Sequence, residues 1–511
     1  MSSSAPPTSP PPSLRPPLDG LPRMTAEEAA ELIPHGSALG CSGFTPAGAV
    51  KAVPRALAAK AKRLHAAGED YKLKVLTGAS TGSAFDDAMA EADCISWRAP
   101  YQSSKTLRKR INTQETQFLD IHLSHVPQLL TFDFLPTLDY AVVEAVDVTR
   151  DGRVYLSTSS GISAAALHHA KEVIIELNRH HAVRLNEMHD VFTLPKPPQR
   201  VPIPIHHPTS KIGTPFAKVD PSKIVAVVET NESDGIAPFR EPDAVSQTIA
   251  DHIVKFLVSE MAAGRVPKEF LPVQSGVGNV ANAVMTGLGS ADDIPDFYMY
   301  SEVFQDALVD LMADGRLLGA STTALTLSDG ELQRIYDGMD FFAERIVLRP
   351  QELSNNPGIV RRLGVISINT ALEMDIYGNV NSTHVMGTQL MNGIGGSGDF
   401  VRNAFLSILV APSLAKSGAI SAVVPMVSHL DHNEHSVQVL VTEQGLADLR
   451  GKGPIERARA IIESCAHPDF RDYLHRYVED APPGHIRHDM SRCFELHQAF
   501  IADGTMRSAL S

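Results

Sequence analysis

Short apolar segments alternate with longer helical ones along most of the chain. The apolar segments are a few residues long and do not alternate polar with apolar positions, which is typical of strands buried on both faces. In the first half they are Leu73–Leu76, Tyr140–Val146, Val173–Leu177 and Ile224–Val228. Alanine-rich stretches such as Ala47–Ala67 lie between them and predict helices. This alternation predicts an α/β fold with mostly parallel sheets.

The second half of the chain repeats this pattern. Its predicted strands are Ile346–Leu348, Gly364–Asn369, Ile420–Val424 and Val437–Val441. A β-hairpin is predicted where the turn signal Tyr377-Gly378-Asn379 separates Leu372–Ile376 from Val380. The same alternation in both halves is compatible with a shared architecture.

A proline-rich segment separates the two halves. Prolines cluster between Phe192 and Lys218, where little regular structure can form. A predicted strand over Lys223–Thr230 and the polar turn Asn231–Gly235 come next. We therefore predict two α/β domains, residues 24–230 and residues 231–511, with a boundary near residue 230.

The amino terminus has a different composition. Its first 17 residues include seven prolines and no acidic residue, so residues 1–23 are predicted to form a disordered tail. Thr25 and Glu28 have the spacing of a capping box, which predicts the start of the first helix. No apolar segment is long enough for a membrane span or a signal sequence. We expect a cytoplasmic protein without membrane contacts. Import into an organelle is the alternative, although Arg15 is the only basic residue among those 17.

Charge and cysteine content exclude several classes of protein. The chain has 45 Lys and Arg against 59 Asp and Glu, and this net charge of −14 argues against nucleic-acid binding. The four cysteines form no CxxC motif, which argues against a disulfide framework or a structural zinc site. His429, His432 and His435 have a metal-like spacing, but positions i, i+3 and i+6 do not share one helix face. We therefore expect no metal.

Three glycine-rich segments are candidate ligand loops: residues 40–48, 274–282 and 392–400. Glycine lets a ligand approach the backbone closely, and free N–H groups ahead of a helix attract anions. The second segment contains G-x-G-x-x-A from Gly276 and the third G-x-G-x-x-G from Gly393, so an NAD-dependent oxidoreductase is one interpretation. Turns without a ligand are another. A site for a different phosphate-bearing ligand or an oxyanion is favoured over both.

One further motif suggests a serine hydrolase. Gly78-Ala79-Ser80-Thr81-Gly82 has the form G-x-S-x-G and follows the predicted strand Leu73–Leu76. The pattern is short, and the sequence places no Asp or His beside Ser80. A plain strand-to-helix turn is therefore the preferred interpretation.

Glu302 is the candidate nucleophile. It lies in an aromatic-rich segment, residues 298–306, that resembles a short strand ending in acids. A carboxylate can attack an activated acyl group to give an anhydride, which divides one difficult step into two easier ones. Taken alone, the same pattern also fits a solvated acid at a strand end.

Six segments together decide between these interpretations. They are SGVGNVANAV (275–284), SEVFQD (301–306), SNNPG (354–358), DIYGNVNST (375–383), NGIGGSGDF (392–400) and VTEQGLADLR (441–450). These segments resemble the acetyl-CoA hydrolase/transferase family, a branch of the class I CoA-transferases. The likeness is greatest to its succinyl-CoA:acetate CoA-transferases and to the fungal enzymes once called acetyl-CoA hydrolases, and it runs in order over residues 25–505.

The resemblance implies a fold and a reaction. It implies two α/β domains with the active site at their junction, usually in a homodimer. It implies that Glu302 attacks an acyl-CoA thioester, giving an acyl-glutamyl anhydride and then a glutamyl-CoA thioester from which a small carboxylate takes CoA. Succinyl-CoA and acetate are the expected pair, and coenzyme A esters enter as substrates, with no separate cofactor. A hydrolase of the same fold is the alternative, and a CoA-sensing module without turnover is disfavoured by the presence of Glu302.

Further site residues follow from matching family positions. The tetrahedral intermediates need oxyanion donors, for which the amides of Val277 and Gly396 are the candidates. Asn355 and Glu443 are expected near the reacting centre. The residues expected to bind CoA are Val273, Gln274, Ser275, Gly276, Val277, Asn392, Gly396 and Lys416.

One segment departs from the family pattern. Relatives carry an arginine just before Ala-Pro-Phe, whereas here Gly235 or a neighbour stands at that place. Arg240 is close but out of register. If the family arginine contacts CoA or a dicarboxylate, substrate preference or affinity should differ in this chain.

Overall fold

Two mostly parallel β-sheets, one in each half of the chain, organise the structure. The computed structural model describes residues 20–238 and 241–510. The tail predicted to be disordered, residues 1–23, therefore lies almost entirely outside the described residues. Arg240 also lies outside them. The α/β prediction with mostly parallel sheets is confirmed.

The first sheet contains seven parallel strands. Two short strands, Arg153–Leu156 and Ala217–Lys218, add to it in antiparallel fashion. Across the sheet the parallel strands are Gln117–Phe118, Ile95–Ala99, Leu73–Leu76, Ala38–Cys41, Tyr140–Val148, Glu172–Asn178 and Ile224–Thr230.

The second sheet has the same arrangement of seven parallel strands, with the antiparallel strand Gly445–Asp448 at one edge. Across the sheet the parallel strands are Ile346–Leu348, Leu317–Thr322, Phe297–Tyr300, Val273–Ser275, Ile366–Thr370, Leu406–Val410 and Val439–Thr442.

In both sheets the spatial order is fourth, third, second, first, fifth, sixth, seventh by position in the chain. The chain therefore builds outward from the first strand, returns to the middle and builds outward on the other side. In such sheets a crevice opens beyond the carboxyl ends of the two central strands, where the direction of winding reverses. Here those central pairs are Ala38–Cys41 with Tyr140–Val148 and Val273–Ser275 with Ile366–Thr370.

Helices cover the faces of both sheets, which keeps the mostly apolar strands buried. Thr25 caps the first helix with the capping box that the sequence predicts. In the first half the helices are Ala26–Glu31, Ala52–Ala66, Ala88–Glu91, Lys105–Asn112, Val126–Thr131 and Ser163–His169. In the second half they are Ala244–Ala262, Asn279–Ser290, Asp306–Ala313, Asp329–Asp337, Met339–Ala343, Gln351–Ser354, Pro357–Leu363, Ser397–Val401, Pro454–Ser464, Pro468–Asp480 and Glu495–Asp503.

Single-turn helices and short strands complete the described elements. The single turns are the π-helical Ser83–Asp87 and the 3₁₀ segments Leu123–His125, Val183–Glu187, Pro221–Lys223 and Met506–Leu510. The short strands form four small sheets: Val303–Gln305 with Ala324–Thr326, Glu373–Asp375 with Val380–Asn381 and Val423–Val424, His384–Val385 with Gln389–Leu390, and Leu414–Ala415 with Ile420–Ser421.

Most predicted strands are present with small changes at their ends, and three predictions need correction. The helix predicted from Ala47 begins at Ala52, because the chain first makes a turn in which Gly48 adopts φ +63°. The strand predicted from Gly364 begins at Ile366, because Gly364 ends the preceding helix in the left-handed conformation. The strand Ile420–Val424 is wrong as one element, since its two ends pair in different small sheets.

The two halves pack closely against each other. Val146, Leu185 and Met188 from the first half belong to the same apolar core as the second sheet. The buried Arg349 guanidinium pairs with Asp190 and donates to Pro208 O at 3.0 Å, which fixes the proline-rich segment against the second half. This apolar core and the Arg349–Asp190 salt bridge both join residues on the two sides of residue 230. A domain boundary near residue 230 therefore stays a prediction. Within the described residues no helix has the length and apolarity needed to cross a membrane.

A buried ion cluster supports the loop that joins the halves. The Lys51 Nζ lies 2.6 Å from Glu144 Oε2 and 3.0 Å from Asp234 Oδ1, and it donates to Ala49 O at 2.7 Å. Burial disfavours the ammonium, but the two carboxylates outweigh it and raise the pKa of Lys51. Asp234 also accepts a hydrogen bond from Thr158 Oγ1 at 2.5 Å. The ammonium therefore holds residues 231–235 onto the first sheet.

Replacing Lys51 by methionine should destabilise the fold by about 3 kcal/mol, because it leaves buried carboxylates without their cation. The free energy of unfolding in urea measures the effect. Lys74→Met is the matched control, because Lys74 is an exposed lysine on a strand of the same sheet. Equal stabilities of the two variants would contradict a supporting role for the cluster.

Candidate active site

A cavity of about 360 Å³ lies where the crevices of the two sheets face each other. The first half contributes the loops that follow its first four strands, and the second half contributes the loops beyond its central pair of strands and beyond Phe297–Tyr300. The lining residues from the first half are Phe44, Thr45, Pro46, Ala79, Ser80, Tyr101, Ser103 and Leu123. Those from the second half are Gly276, Val277, Glu302, Val303, Thr326, Asn369, Thr370, Ser382, Asn392, Ile394, Gly395, Gly396 and Ser397.

Glu302 enters this cavity from the end of the strand that lies next to the central pair. It follows Phe297–Tyr300, and its backbone carbonyl accepts from Thr323 N at 2.9 Å and Thr322 Oγ1 at 2.7 Å. These two hydrogen bonds fix the backbone of Glu302 and so set the position from which its side chain extends. Its Oε1 accepts a hydrogen bond from Asn355 Nδ2 at 2.6 Å. Asn355 is fully buried at the end of the helix Gln351–Ser354.

The surroundings of Glu302 favour a neutral carboxyl group more than water does. Burial raises the pKa of Glu302 to about 7, the Asn355 hydrogen bond lowers it in part, and the charge of Asp399 adds to the rise. A carboxylate with a raised pKa is a stronger nucleophile than an ordinary one, and at neutral pH a large fraction is still ionised.

Gly396 lies directly against this carboxylate. A Cβ at this position would overlap Glu302 Oε1 and Asn355 Nδ2, so only glycine fits. The segment is fixed from two sides: Ile394 N donates to Asp120 Oδ1 at 2.9 Å, and Ser397 Oγ contacts His432 Nε2 at 3.1 Å. The third glycine-rich segment thus places its backbone directly against the Glu302 carboxylate.

Comparison with known proteins identifies the family. The sequence profile of the acetyl-CoA hydrolase/transferase N-terminal domain matches residues 21–229, and that of the C-terminal domain matches residues 332–478. A propanoyl-CoA:succinate CoA transferase of Escherichia coli is 55% identical over 95% of this chain and 98% of its own length. The chain belongs to the acetyl-CoA hydrolase/transferase family.

Further relatives within this family carry two kinds of name. A succinyl-CoA:acetate CoA-transferase of Clostridium kluyveri is 47% identical and covers 95% of this chain and 90% of its own. An acetyl-CoA hydrolase of Schizosaccharomyces pombe is 40% identical and covers 94% and 95%. The predicted family is therefore confirmed.

Solved structures share the fold. RipA from Yersinia pestis superposes with a TM-score of 0.68 at 24% identity and covers 90% of this chain and 97% of its own. A 4-hydroxybutyrate CoA-transferase from Porphyromonas gingivalis gives 0.61 at 21% identity, with coverage of 90% and 97%. The class I CoA-transferase architecture predicted from the sequence is confirmed, with the cavity between the two sheets.

The structure brings five of the residues expected from the family resemblance to the cavity around Glu302. They are Gly276, Val277, Asn355 (through its bond to Glu302), Asn392 and Gly396. Gly276 and Val277 leave the strand Val273–Ser275, and Gly278 (φ +113°) turns the chain into the helix Asn279–Ser290. This helix has no side-chain cap at its start. Its first N–H groups are therefore free for a ligand.

Three of the expected CoA-binding residues support the cavity from within the sheet instead. The side chain of Val273 packs in the apolar core. Gln274 exchanges two hydrogen bonds with the cavity residue Asn369, at 3.2 and 2.9 Å. Ser275 O accepts from Ser301 Oγ at 3.0 Å. Contact of these three residues with CoA therefore stays a prediction.

Lys416 and Glu443 lie outside the cavity lining. Lys416 is exposed, with Nζ 4.7 Å from the centroid of the Phe500 ring. Glu443 accepts from Ser413 N at 2.8 Å and from Gln444 Nε2 at 3.1 Å. In this structure Glu443 organises the loop after Leu406–Val410, and the roles expected for both residues remain predictions.

Among the described residues that line the cavity there is no lysine, arginine or histidine. Ser80 lies there without a histidine partner, so the G-x-S-x-G motif does not form a serine–histidine couple. Gly235 adopts φ +64° beside open space, and it supplies no cation in place of the family arginine. The polar groups of the described cavity lining are therefore amides, hydroxyl groups and the Glu302 carboxylate.

Sequence reasoning missed a cluster with metal-like geometry. Glu144, His181 and Asp234 place ligand atoms within 4.8 Å of one another. The Lys51 ammonium already lies between the two carboxylates, so the cluster fits an internal cation better than a metal ion. His429, one of the three histidines with metal-like spacing, lies against the ring of His384. The two ring centroids are 3.9 Å apart and the rings are tilted by 39°.

Sequence reasoning also missed the wall from the first half, which includes Phe44, Tyr101 and Leu123. The glycine-rich segment 40–48 was the available signal for Phe44, because it marked a loop after a central strand. No local pattern marks Tyr101 or Leu123.

Proposed function

We propose that this chain is a CoA-transferase that moves CoA from an acyl-CoA to a small carboxylate, with succinyl-CoA and acetate giving succinate and acetyl-CoA. The observation that carries this proposal is the position of the Glu302 carboxylate. It lies in the cavity between the two sheets, accepts a hydrogen bond from Asn355 and packs against Gly396. The names of the 55% and 47% identical relatives support it. We also propose a homodimer in the cytoplasm, on the family resemblance alone.

The first half-reaction forms the covalent enzyme. A Glu302 oxygen attacks the thioester carbonyl, the C–S bond breaks, and an acyl-glutamyl anhydride and a CoA thiolate result. The thiolate then attacks the glutamyl carbonyl, which releases the acyl group as a free carboxylate and leaves a glutamyl-CoA thioester. An incoming carboxylate reverses these steps and departs as the new acyl-CoA.

Each step passes through a tetrahedral oxyanion that needs donors already in place. The amides of Val277 and Gly396 are the proposed donors, and the Asn355 Nδ2 holds the Glu302 oxygen that it contacts. Phe44, Leu123 and Val303 form an apolar wall that disfavours water next to Glu302. This wall suits a short acyl group next to the nucleophile.

An acetyl-CoA hydrolase is the second candidate, because the 40% identical Schizosaccharomyces pombe relative carries that name. In a hydrolase water would attack the anhydride or the glutamyl thioester. The two candidates share Glu302 and differ only in the acceptor.

The products of a single assay distinguish the candidates. The pure protein is incubated with succinyl-CoA, with and without acetate, and every CoA species is quantified. The transferase predicts acetyl-CoA only with acetate and little free CoA. Free CoA that accumulates equally in both reactions establishes the hydrolase, and an unchanged succinyl-CoA pool in both contradicts the proposed pair.

The proposed mechanism predicts that kcat/KM falls on the acid side of neutral pH, which we call the acid limb of the pH profile. Only ionised Glu302 attacks, so kcat/KM should fall about tenfold per pH unit below the pKa of about 7 and level off above it. The measurement is kcat/KM for succinyl-CoA between about pH 5 and about pH 9 at fixed ionic strength. A limb near the ordinary glutamate value would contradict the environment described for Glu302.

A further inference from the structure

A buried amide side chain, that of Gln351, lies where the two halves of the chain meet. Gln351 is fully buried and begins the short helix Gln351–Ser354 of the second half. Its Nε2 donates to Leu123 O at 2.8 Å, and its backbone N–H donates to Gly161 O at 3.0 Å. A Cβ at Gly78 would lie 3.0 Å from its Oε1. One residue of the second half therefore contacts three loops of the first half.

The same helix leads into the side chain that contacts the nucleophile. Asn355 N donates to Gln351 O at 3.0 Å, and Asn355 Nδ2 donates to Glu302 Oε1 at 2.6 Å. Gly161 closes the connection from the other side, because its N–H donates to Thr323 Oγ1 at 3.0 Å. Thr323 N in turn donates to Glu302 O at 2.9 Å. The first half therefore holds both the helix that carries Asn355 and the segment that fixes the Glu302 backbone.

Folding alone does not require the contacts of the Gln351 amide. Leu123 O already accepts a hydrogen bond from Val126 N, so this carbonyl has a partner without the amide. Gln351 Oε1 is buried and has no hydrogen-bond partner among the described residues. A buried acceptor without a partner costs free energy, which an apolar side chain of similar shape would avoid. The amide is therefore better explained by the groups that its N–H holds together.

We propose that Gln351 is a positioning residue through which the first half of the chain holds the Asn355 amide against Glu302. This proposal rests on the proposed function, because it assigns Gln351 a role in the same covalent reaction. The described cavity lining does not include Gln351, so it acts through Asn355 and touches neither the substrate nor the reacting atoms. A donor that is fixed in this way keeps the attacking oxygen of Glu302 in one orientation.

The contact with Asn355 also affects the protonation of Glu302. Burial raises the pKa of Glu302 to about 7, and the hydrogen bond from Asn355 keeps it below the value that burial alone would give. A hydrogen bond donated to the ionised carboxylate has this effect because it favours the charged form. If the amide moves away, the pKa of Glu302 should rise further, and the acid limb should move to higher pH.

Other titratable groups surround this contact. Asp399 and Tyr101 lie near Glu302, and burial raises the pKa of Asp399 to about 7 and that of Tyr101 to about 12. Burial also raises the pKa of Glu352, on the helix of Gln351, to about 7. The further charged or titratable groups on the elements packed here are Asp120, His122, His125, Arg200, Arg402 and His432. All of them are unchanged in the variants below, so a difference between pH profiles reports the substitution itself.

The test uses Gln351→Met in the full chain and follows formation of the Glu302–CoA thioester in a single turnover with succinyl-CoA. Methionine has a similar length but donates no hydrogen bond, so the bond to Leu123 O is lost while the volume is kept. The limiting rate should fall about 10-fold, with a smaller change in substrate affinity, and the acid limb should move to higher pH. The unfolding temperature should stay near that of wild type, because the unpartnered oxygen is removed together with the hydrogen bond.

Two single variants accompany this test. Gln438→Met is the matched control: Gln438 Oε1 accepts from Ser407 N at 2.7 Å just before the strand Val439–Thr442, at the sheet edge opposite the cavity. Its rate and acid limb should match the wild type. Gln351→Asn keeps an amide that is one methylene group too short to reach Leu123 O. It should show the same two changes as Gln351→Met, and it decides the question if the methionine variant does not fold.

A double variant tests the route by which Gln351 acts. Asn355→Ala removes the amide that Gln351 is proposed to hold, so it should lower the rate and raise the acid limb more than Gln351→Met does. Adding Gln351→Met to Asn355→Ala should then change neither quantity further. A further fall in rate as large as the one in the wild-type background would overturn the proposal, because Gln351 would then act by another route.

The outcomes separate this proposal from the function on which it rests. If the wild-type chain forms no thioester at Glu302, the proposed function fails and this proposal fails with it. If the thioester forms and Gln351→Met keeps the wild-type rate and acid limb, only the positioning role is wrong. A reduced rate with an acid limb that is unmoved, or that moves to lower pH, also overturns the positioning role, because a general structural defect would give that result.

Discussion

Replacing Glu302 by glutamine should lower the rate of CoA transfer from succinyl-CoA to acetate by at least about 10⁴-fold. The amide nitrogen cannot attack the thioester, and no anhydride or glutamyl thioester can then form. The shape is retained, because the oxygen of the introduced amide can still accept the hydrogen bond that Asn355 donates to Glu302 Oε1. Steady-state rates measure the loss, and mass spectrometry of the peptide that contains residue 302 shows whether the CoA adduct is absent.

The exposed Glu344→Gln is the matched control for this substitution and should keep the wild-type rate. Full activity of Glu302→Gln would falsify both the transferase and the hydrolase proposals, because both begin with attack by this carboxylate.

The same variant should change stability in a pH-dependent way. The pKa of Glu302 is raised in the folded chain from 4.5 to about 7, so ionisation costs folding free energy. That cost is absent below about pH 4.5, grows as the pH rises and is complete above about pH 7. Glu302→Gln removes the ionisable group and with it this cost. The variant should therefore unfold at a higher temperature than wild type at alkaline pH and lose this advantage in acid.

The fold could be predicted largely from local pattern, because strands buried on both faces are mostly apolar. Tyr140–Val148 and Ile224–Thr230 follow this rule, although the first contains Glu144 and Asp147. Strand order could not be read in this way, since it depends on which edges meet after folding. The prediction of one strand over Ile420–Val424 failed for a related reason: this mostly apolar run gave no sign that Ser421 and Val423 pair with different partners.

The site could be predicted in part because its key groups come from recognisable segments. Glu302, Gly396 and Asn355 lie in three such segments and meet in the cavity. Asp399 is in the same glycine-rich segment as Gly396, but its partner Ser124 lies 275 residues away in the chain. A contact of that kind has no local signature, so sequence patterns alone could not show how this glycine-rich segment is held in place.

Gly396→Ala should reduce CoA transfer by about 10³-fold, the second large effect expected from this site. A Cβ at residue 396 would overlap both the Glu302 carboxylate and the Asn355 amide, neither of which can withdraw far. Asn355 is fully buried, and the Glu302 backbone is fixed by hydrogen bonds from Thr322 and Thr323. One methyl group therefore has to displace the nucleophile or the loop that carries the oxyanion donor, and either movement separates groups that must act together.

Gly330→Ala is the matched control, because a Cβ at Gly330 meets nothing within 4 Å and the position is helical. It should keep full activity and gain up to about 1 kcal/mol of stability. Steady-state kinetics and thermal unfolding of both variants provide the comparison. If Gly396→Ala keeps the wild-type rate while folding normally, the close packing of Gly396 against Glu302 cannot be what the reaction requires. A loss confined to kcat, with thermal unfolding near that of wild type, is the result that this packing predicts, since the added methyl group acts at the carboxylate and not on the core.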